Sequence, residues 1–531
     1  MTILRPSVIV TLVASAALAQ ERPLQPVVQG DLVPGVPQVY TVQAGAGDLI
    51  FGTFEMKGTD ASLPVTVALY DDSGSMVKKA TFWGNPLPVG FVTPKSGIYQ
   101  IRITPNSAGG GPYTLRTERQ TPAQRIAGAA AVTPTVRFES ARVKQLIKEV
   151  SSRQAGAVER FWSETEARGG PLVETIESND QDFLVTFLWK EIYETHNVLA
   201  IWPGPTPEDY YMSQIPGTNV WYKTVRVRRG SRFGYALAPN NRSENRDALT
   251  AQRDPLNPRL AAGGGGSILE TPGAPDESWY RRTPSVRGTI TQQHLDSVLL
   301  KGRRDVSVYT PPGYAPAKGA YPLLILFDGS TYATGSDDDN GLWAPNTLDN
   351  LIADHRIRPM VVCFVSDNRS DMAKAKGIPT YATSIATELV LWLRSSYAVS
   401  TDPKDVVIGG LSAGASMAGF VALQYPTVFG NVLLQSGGQQ PLPPLYLEAP
   451  KVPVRFYIDM GLHEYLGWEY LPPDEQAVTE NPLIRMRHFR DVLQAKGYDV
   501  MYKETGGSHD YIHWRATLAE GLIALLGQPA K

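Results

Sequence analysis

One cysteine, Cys363, is all the thiol chemistry that 531 residues contain, so no internal disulfide can brace this chain and its cores must hold it together. Cys363 lies inside the apolar run MVVCFV and reads as a core residue, without the partly exposed, electropositive setting that activates a thiol. Long apolar runs are also scarce. The stretch from Val8 to Leu18 falls short of the ~20 residues a membrane-spanning helix needs, and no later segment approaches that length. An excess of either charge is missing too: 50 Lys and Arg stand against 52 Asp and Glu, for a formal net charge of -2. Without a basic run to track a phosphate backbone, the chain is not expected to bind nucleic acid.

What is present begins with the opening residues, MTILRPSVIVTLVASAALAQ. Arg5 precedes the apolar run, which ends in Ala17-Leu18-Ala19. That pattern predicts a signal peptide over residues 1–19, hence a periplasmic or secreted protein with no integral membrane segment after cleavage. The chain is too long for one core, which stops growing near ~250–300 residues, so several domains are expected.

From residue 22 to 120, short alternating runs such as QVYTVQ, LIFGTFEM and GIYQIRITP, separated by Gly, Pro, Asp and Ser, predict an antiparallel β-sandwich. It resembles the bacterial pre-peptidase C-terminal domain in pattern. Residues 135–168 carry Val143, Leu146, Ile147, Val150, Val158, Phe161 and Trp162 at helical spacing and predict a helical connector. Strand-like runs return in DFLVTFLWK, HNVLAIWPG, VWYKTVRVRRG and RFGYALAPN, giving a second small β-sandwich over 169–262. The glycines from Gly263 to Gly266 then open an expected linker over 263–284.

Beyond residue 285 the rhythm changes. Continuous apolar strands (YPLLILFDG, RPMVVCFV, DVVIGG, NVLLQSG, VRFYIDMG) alternate with helical segments, which predicts a mostly parallel sheet covered by helices on both faces. In DVVIGGLSAGASMAGFVALQYP a strand runs into Gly410-Leu411-Ser412-Ala413-Gly414 and then into a helix of small residues. This is the strand, turn and helix context of the G-x-S-x-G nucleophile elbow, with Ser412 exposed at the carboxyl end of the sheet. Ser416, one turn on, lacks the flanking glycines.

A serine hydroxyl needs a base to take its proton, and in this fold an acid and then a histidine follow the serine in the chain. Of the histidines after the elbow, His509 in KETGGSHDYIHW follows two glycines and precedes a helix, so its ring can rest over the carboxyl edge of the sheet. His488 falls in a basic amphipathic helix, and His513 lies one turn beyond His509. The acid is expected just after VRFYIDMG, at Glu464, or alternatively at Asp459 near the end of that strand. Oxyanion donors are expected from the backbone of Ala413 and of Gly329, in the loop after an early strand.

Three other features carry weaker chemistry. His509 and His513 with Asp510 between them approximate the zinc pattern H-E-x-x-H, but Asp shortens the reach of the base and no third ligand is evident, so neither metal nor cofactor is expected. The cluster Ser336-Asp337-Asp338-Asp339-Asn340-Gly341 has Thr347 where a calcium loop needs its final Glu. Arg369, after the strand MVVCFV, falls where a loop faces the site and could meet an anionic substrate.

From about residue 158 onward the chain resembles the enterochelin (enterobactin) esterase family, through VTFLW, GTNVWYKTVRV, FGYALAPN, DPLNPRL, SILETPGAPDESWY, RRDVSVYTPPGY, LLILFDG, GGLSAG, LLQSGG and GGSHDYIHW in that order. The resemblance implies an α/β-hydrolase catalytic domain over 285–531 behind an immunoglobulin-like sandwich, cleaving the trilactone of a catecholate siderophore. The nucleophile and base carry over onto Ser412 and His509, and the Gly-x-x-carboxylate that related feruloyl esterases place after a similar strand matches Gly461 to Glu464. The signal peptide, the added N-terminal β-domain and DNRSDMAKAKGI in place of the family's Asn-Arg-Glu-Leu depart from the family. An esterase for acylated carbohydrate, or a binding protein that has kept the fold without chemistry, are the alternatives.

Overall fold

The computed structural model describes residues 21–57, 65–80, 85–105, 110–129, 133–204, 210–241, 250–261, 265–335, 341–366, 377–437, 442–465 and 481–527. The expected signal segment, most of the acidic cluster from Ser336 and Arg369 lie outside them.

The chain divides into two compact units, residues 1–125 and 126–531. The first holds a five-stranded and a four-stranded sheet. Alternating positions of both sheets, among them Tyr40, Ile50, Phe54, Val67, Phe91, Ile101 and Leu115, meet in one core, as a period of two requires of strands with one wet face.

The second unit opens with helices Ala141–Ser151 and Ala157–Arg168. The first is capped by Ser140, whose hydroxyl accepts the Val143 N–H at 3.1 Å. Their apolar stripe is packing surface: Val143, Leu146, Phe161 and Trp162 bury against Leu172, Leu188 and Val220 of the next sheet. A four-stranded and a three-stranded sheet follow around Phe187, Trp189, Leu199, Trp202, Phe233, Tyr235 and Leu269.

Here the structure corrects the expected linker. Within 263–284, Ser267–Glu270 is a strand that pairs antiparallel with Arg232–Tyr235, and Ser278–Arg281 is a helical turn. The glycines hid it, because four residues are too short for periodicity to register, while Ile268 and Leu269 are in fact buried.

The last region is built on an eight-stranded mixed sheet in the spatial order Thr289–Ser297, Gly302–Thr310, Val361–Val365, Leu323–Leu326, Val406–Leu411, Asn431–Gln435, Arg455–Gly461, Asp499–Thr505. The first two strands form an antiparallel hairpin at one edge, and the strands from Val361–Val365 onward run parallel. The central strands, from Val361–Val365 to Asn431–Gln435, are buried throughout because alternate residues feed two cores. Val406 and Ile408 join one with the helices Ser412–Gln424 and Pro482–Ala495, whereas Val407 and Leu411 join the other with the helix Tyr511–Leu526. Cys363 is wholly buried in the first core, and burial pushes its thiol pKa up, as befits a packing residue.

Candidate active site

The strand Val406–Leu411 ends where the helix Ser412–Gln424 begins, and the turn between them is strained: Ser412 has φ 53, a left-handed value rare for a side-chain-bearing residue. The flanking glycines make the turn possible. A Cβ on Gly410 would lie 2.7 Å from the Gly414 carbonyl carbon, and one on Gly414 would run into the Asp328 carboxylate.

Ser412 Oγ lies 2.9 Å from His509 Nε2, and His509 Nδ1 lies 2.8 Å from Glu464 Oε2. The imidazole is 24% exposed and Glu464 wholly buried, so the carboxylate end of this chain is sealed from bulk water. Glu464 sits in the short helical turn Leu462–Tyr465 after the strand Arg455–Gly461, where its Oε1 also accepts from the Gly461 N–H at 2.7 Å and the Ser436 hydroxyl at 2.6 Å. Burial alone would raise its pKa. Hydrogen bonds and charge from His509, with help from His513 and Ser436, outweigh burial and hold the carboxyl below its ordinary value.

The alternative acid has a different partner. Asp459, still within the strand and wholly buried, takes His513 Nε2 at 3.0 Å, while His513 Nδ1 lies 3.1 Å from the Thr505 hydroxyl. Burial keeps the Asp459 carboxyl above its ordinary range despite His513; burial pulls His513 down, yet Asp459 outweighs it and holds this imidazole above its ordinary value. His509 and His513 thus each face a different carboxylate, and among the described residues no group of three His, Cys, Asp or Glu is placed to hold an ion.

Two groups around His509 carried no signal in the sequence. Ser436 follows the strand Asn431–Gln435 with φ 51, donating to Glu464 and accepting Trp514 Nε1–H at 2.7 Å. The Trp514 ring stands edge-on to His509, centroids 4.9 Å apart at 84°. A serine after a strand and a tryptophan in an apolar helix carry no signal until the fold joins them. His488 is exposed.

The expected oxyanion donors flank the elbow. Ala413 lies in the first turn of the helix Ser412–Gln424, where backbone N–H groups lack intrahelical acceptors. Gly329 opens the short helix Gly329–Ala333, so close to Phe364 and Val365 that a Cβ there would collide with their backbone. The preceding Phe327 N–H binds the Gly409 carbonyl at 2.9 Å, which ties this loop to the elbow strand.

Two family models match in tandem: enterochelin esterase, N-terminal, over residues 184–280, and "Putative esterase" over 297–525. The chain carries an enterochelin esterase N-terminal domain followed by an esterase domain. It is 24% identical over 424 residues to the iron(III) enterobactin esterase of Dickeya dadantii, covering 71% of this chain and 94% of that one. It is 26% identical over 412 residues to the iron(III) enterobactin esterase of Escherichia coli K12, covering 69% and 96%. The crystal structure of the enterobactin esterase from Shigella flexneri in the presence of enterobactin matches 70% of this chain and 98% of that one at TM-score 0.52 and 23% identity, a likeness of fold. The esterase domain thus has an α/β-hydrolase-like fold. The N-terminal unit lies outside both family matches.

Proposed function

We propose that this protein is a carboxylic ester hydrolase that cleaves the ester bonds of a catecholate siderophore of the enterobactin type, with Ser412 as nucleophile. The observation that carries the reading is the unbroken hydrogen-bonded chain from Ser412 through His509 to the buried Glu464. The relatives support the substrate class, since three of those matched over most of their own length are iron(III) enterobactin esterases and a fourth is an iron(III) salmochelin esterase.

In this mechanism Ser412 Oγ attacks the ester carbonyl carbon while His509 Nε2 takes the hydroxyl proton. Glu464 fixes the imidazole tautomer and stabilises the imidazolium, which its low pKa allows because the carboxylate stays ionised. The backbone N–H groups of Ala413 and Gly329 donate to the developing oxyanion. His509 then protonates the departing alkoxide, and a water, deprotonated by the same imidazole, releases the acid and restores Ser412. For a trilactone, each turnover opens one serine ester. Arg369 serves in this reading as a cationic contact for an anionic substrate.

The enzyme acts outside the cytoplasm in this proposal, after removal of residues 1–19; Arg5, the apolar run and Ala17-Leu18-Ala19 support it. Among the described residues no helix is long and apolar enough to cross a membrane.

The decisive experiment compares kcat/KM for ferric enterobactin and for a feruloylated oligosaccharide, in wild type and Ser412→Ala. Preference for the siderophore with loss of activity in the variant supports the reading. Preference for the sugar ester moves the substrate class to acylated carbohydrate, and full activity in the variant removes Ser412 as nucleophile.

A further inference from the structure

The acid and the base stand on two separate loops, and both loops are fastened to one strand of the preceding sandwich, Arg232–Pro239, and to the residue before it. The base loop runs from Gly506 to Asp510. Its Gly506 carbonyl accepts the Arg232 N–H at 2.8 Å, and Ser231 and Gly506 form a parallel bridge. A Cβ on Gly506 would run into Ser231, so glycine permits the contact. On the acid side, His463, directly before Glu464, places Nε2 3.3 Å from the Ser231 hydroxyl and its ring edge-on to Phe233 at 4.7 Å. The two loops also hold each other through the His463 N–H and the Gly507 carbonyl at 3.0 Å.

Asp510, the residue after His509, joins these parts. Its Oδ1 accepts the His513 N–H at 2.8 Å and caps the helix Tyr511–Leu526. Its Oδ2 accepts the Ser508 hydroxyl at 2.6 Å and, across the domain boundary, the Gly234 N–H at 3.3 Å. One carboxylate therefore sets both where the helix starts and where the base loop lies against the sandwich.

We propose that Asp510 is a positioning residue for His509, and that the strand from Ser231 to Gly234 acts with it as a clasp, making the sandwich a working part of the esterase site. The proposal rests on the reading of His509 as base. Its physical basis is tolerance: a catalytic chain must be held within ~0.5 Å, and a displacement of about 1 Å costs on the order of 100-fold in rate. Glu464 and His509 approach from different loops, so their 2.8 Å contact survives only while both loops keep their place on the clasp.

The test uses the full-length protein with p-nitrophenyl acetate and a fluorophosphonate probe. Asp510→Asn keeps an oxygen for the helix cap but turns a donor toward Gly234, and Asp510→Ser keeps a capping hydroxyl too short to reach the sandwich. Asn481→Ala, which removes the cap of the helix Pro482–Ala495 far from the clasp in sequence, is the stability control. In both Asp510 variants kcat and the rate of Ser412 labelling fall about tenfold or more with Tm no lower than in the control. The low-field proton resonance of the His509 to Glu464 hydrogen bond broadens in the Asp510 variants and persists in Asn481→Ala. Turnover within twofold of wild type in both Asp510 variants, or a loss that only follows the unfolded fraction, overturns the proposal. A wild-type protein that neither turns over the ester nor labels instead defeats the esterase reading itself.

Discussion

Glu464, in the turn just after one strand, and Asp459, near the end of that strand, bind different histidines: Glu464 holds His509 at 2.8 Å, and Asp459 holds His513 at 3.0 Å. Both carboxylates are wholly buried, and each leans on its own imidazole rather than sharing one. The strand end determines this division, because Asp459 is still locked into the sheet register while Glu464 has turned out over its carboxyl edge.

The two acids should therefore separate cleanly on substitution. Glu464→Gln lowers kcat by about 10³-fold or more, since an amide cannot stabilise the imidazolium and admits the wrong tautomer. Asp459→Asn leaves the Ser412 to His509 to Glu464 chain intact and lowers kcat by about tenfold at most. Steady-state hydrolysis of p-nitrophenyl acetate, with folding checked by circular dichroism, measures both.

His463 gives the fold a dependence on acid. Burial pushes its pKa down to about 4, so the folded protein keeps this imidazole neutral where the unfolded chain, near 6.5, takes a proton. The unfolded state then binds more protons between pH 6.5 and 4, and stability falls as pH drops through that window by about 3 kcal/mol. Denaturant unfolding from pH 7.5 to 4.5 should show this slope, and His463→Gln should flatten it.

Trp514→Phe keeps the ring edge against His509 but removes the Nε1 donor to Ser436. The buried Ser436 hydroxyl still donates to Glu464 but loses its own donor, at a cost of about 1–3 kcal/mol in urea unfolding. Turnover should fall less than in Glu464→Gln.

At the elbow, Gly414→Val forces a side chain into Asp328 and Phe327 and should destabilise by about 1–3 kcal/mol or more while abolishing fluorophosphonate labelling. Ser416→Ala, one turn along the same helix, should label at the wild-type rate. Labelling of Ser416 in place of Ser412 would reverse the assignment.

Much of this arrangement was legible in the chain. Glycines flank Ser412 because only they fit where strand and helix close, and that constraint is local enough to appear as a motif. Apolar strands of unbroken Val, Ile and Leu announced a sheet buried on both faces, and the chain order of serine, carboxylate and histidine was expected of that fold, with Glu464 or Asp459 left open as the acid. The strand Ser267–Glu270 was hidden by the glycines before it, since four residues cannot display a period.

What the sequence by itself determined was the set of candidate groups for the chemistry and the type of sheet that presents them, because turn sterics and strand periodicity act between near neighbours in the chain. Only the tertiary structure decided which carboxylate meets which histidine, that Ser436 and Trp514 close around them, and that Asp510 reaches Gly234. Those contacts join residues that are far apart in sequence, so no local pattern encodes them, and they exist only once separate strands and loops have packed at the same edge of the fold.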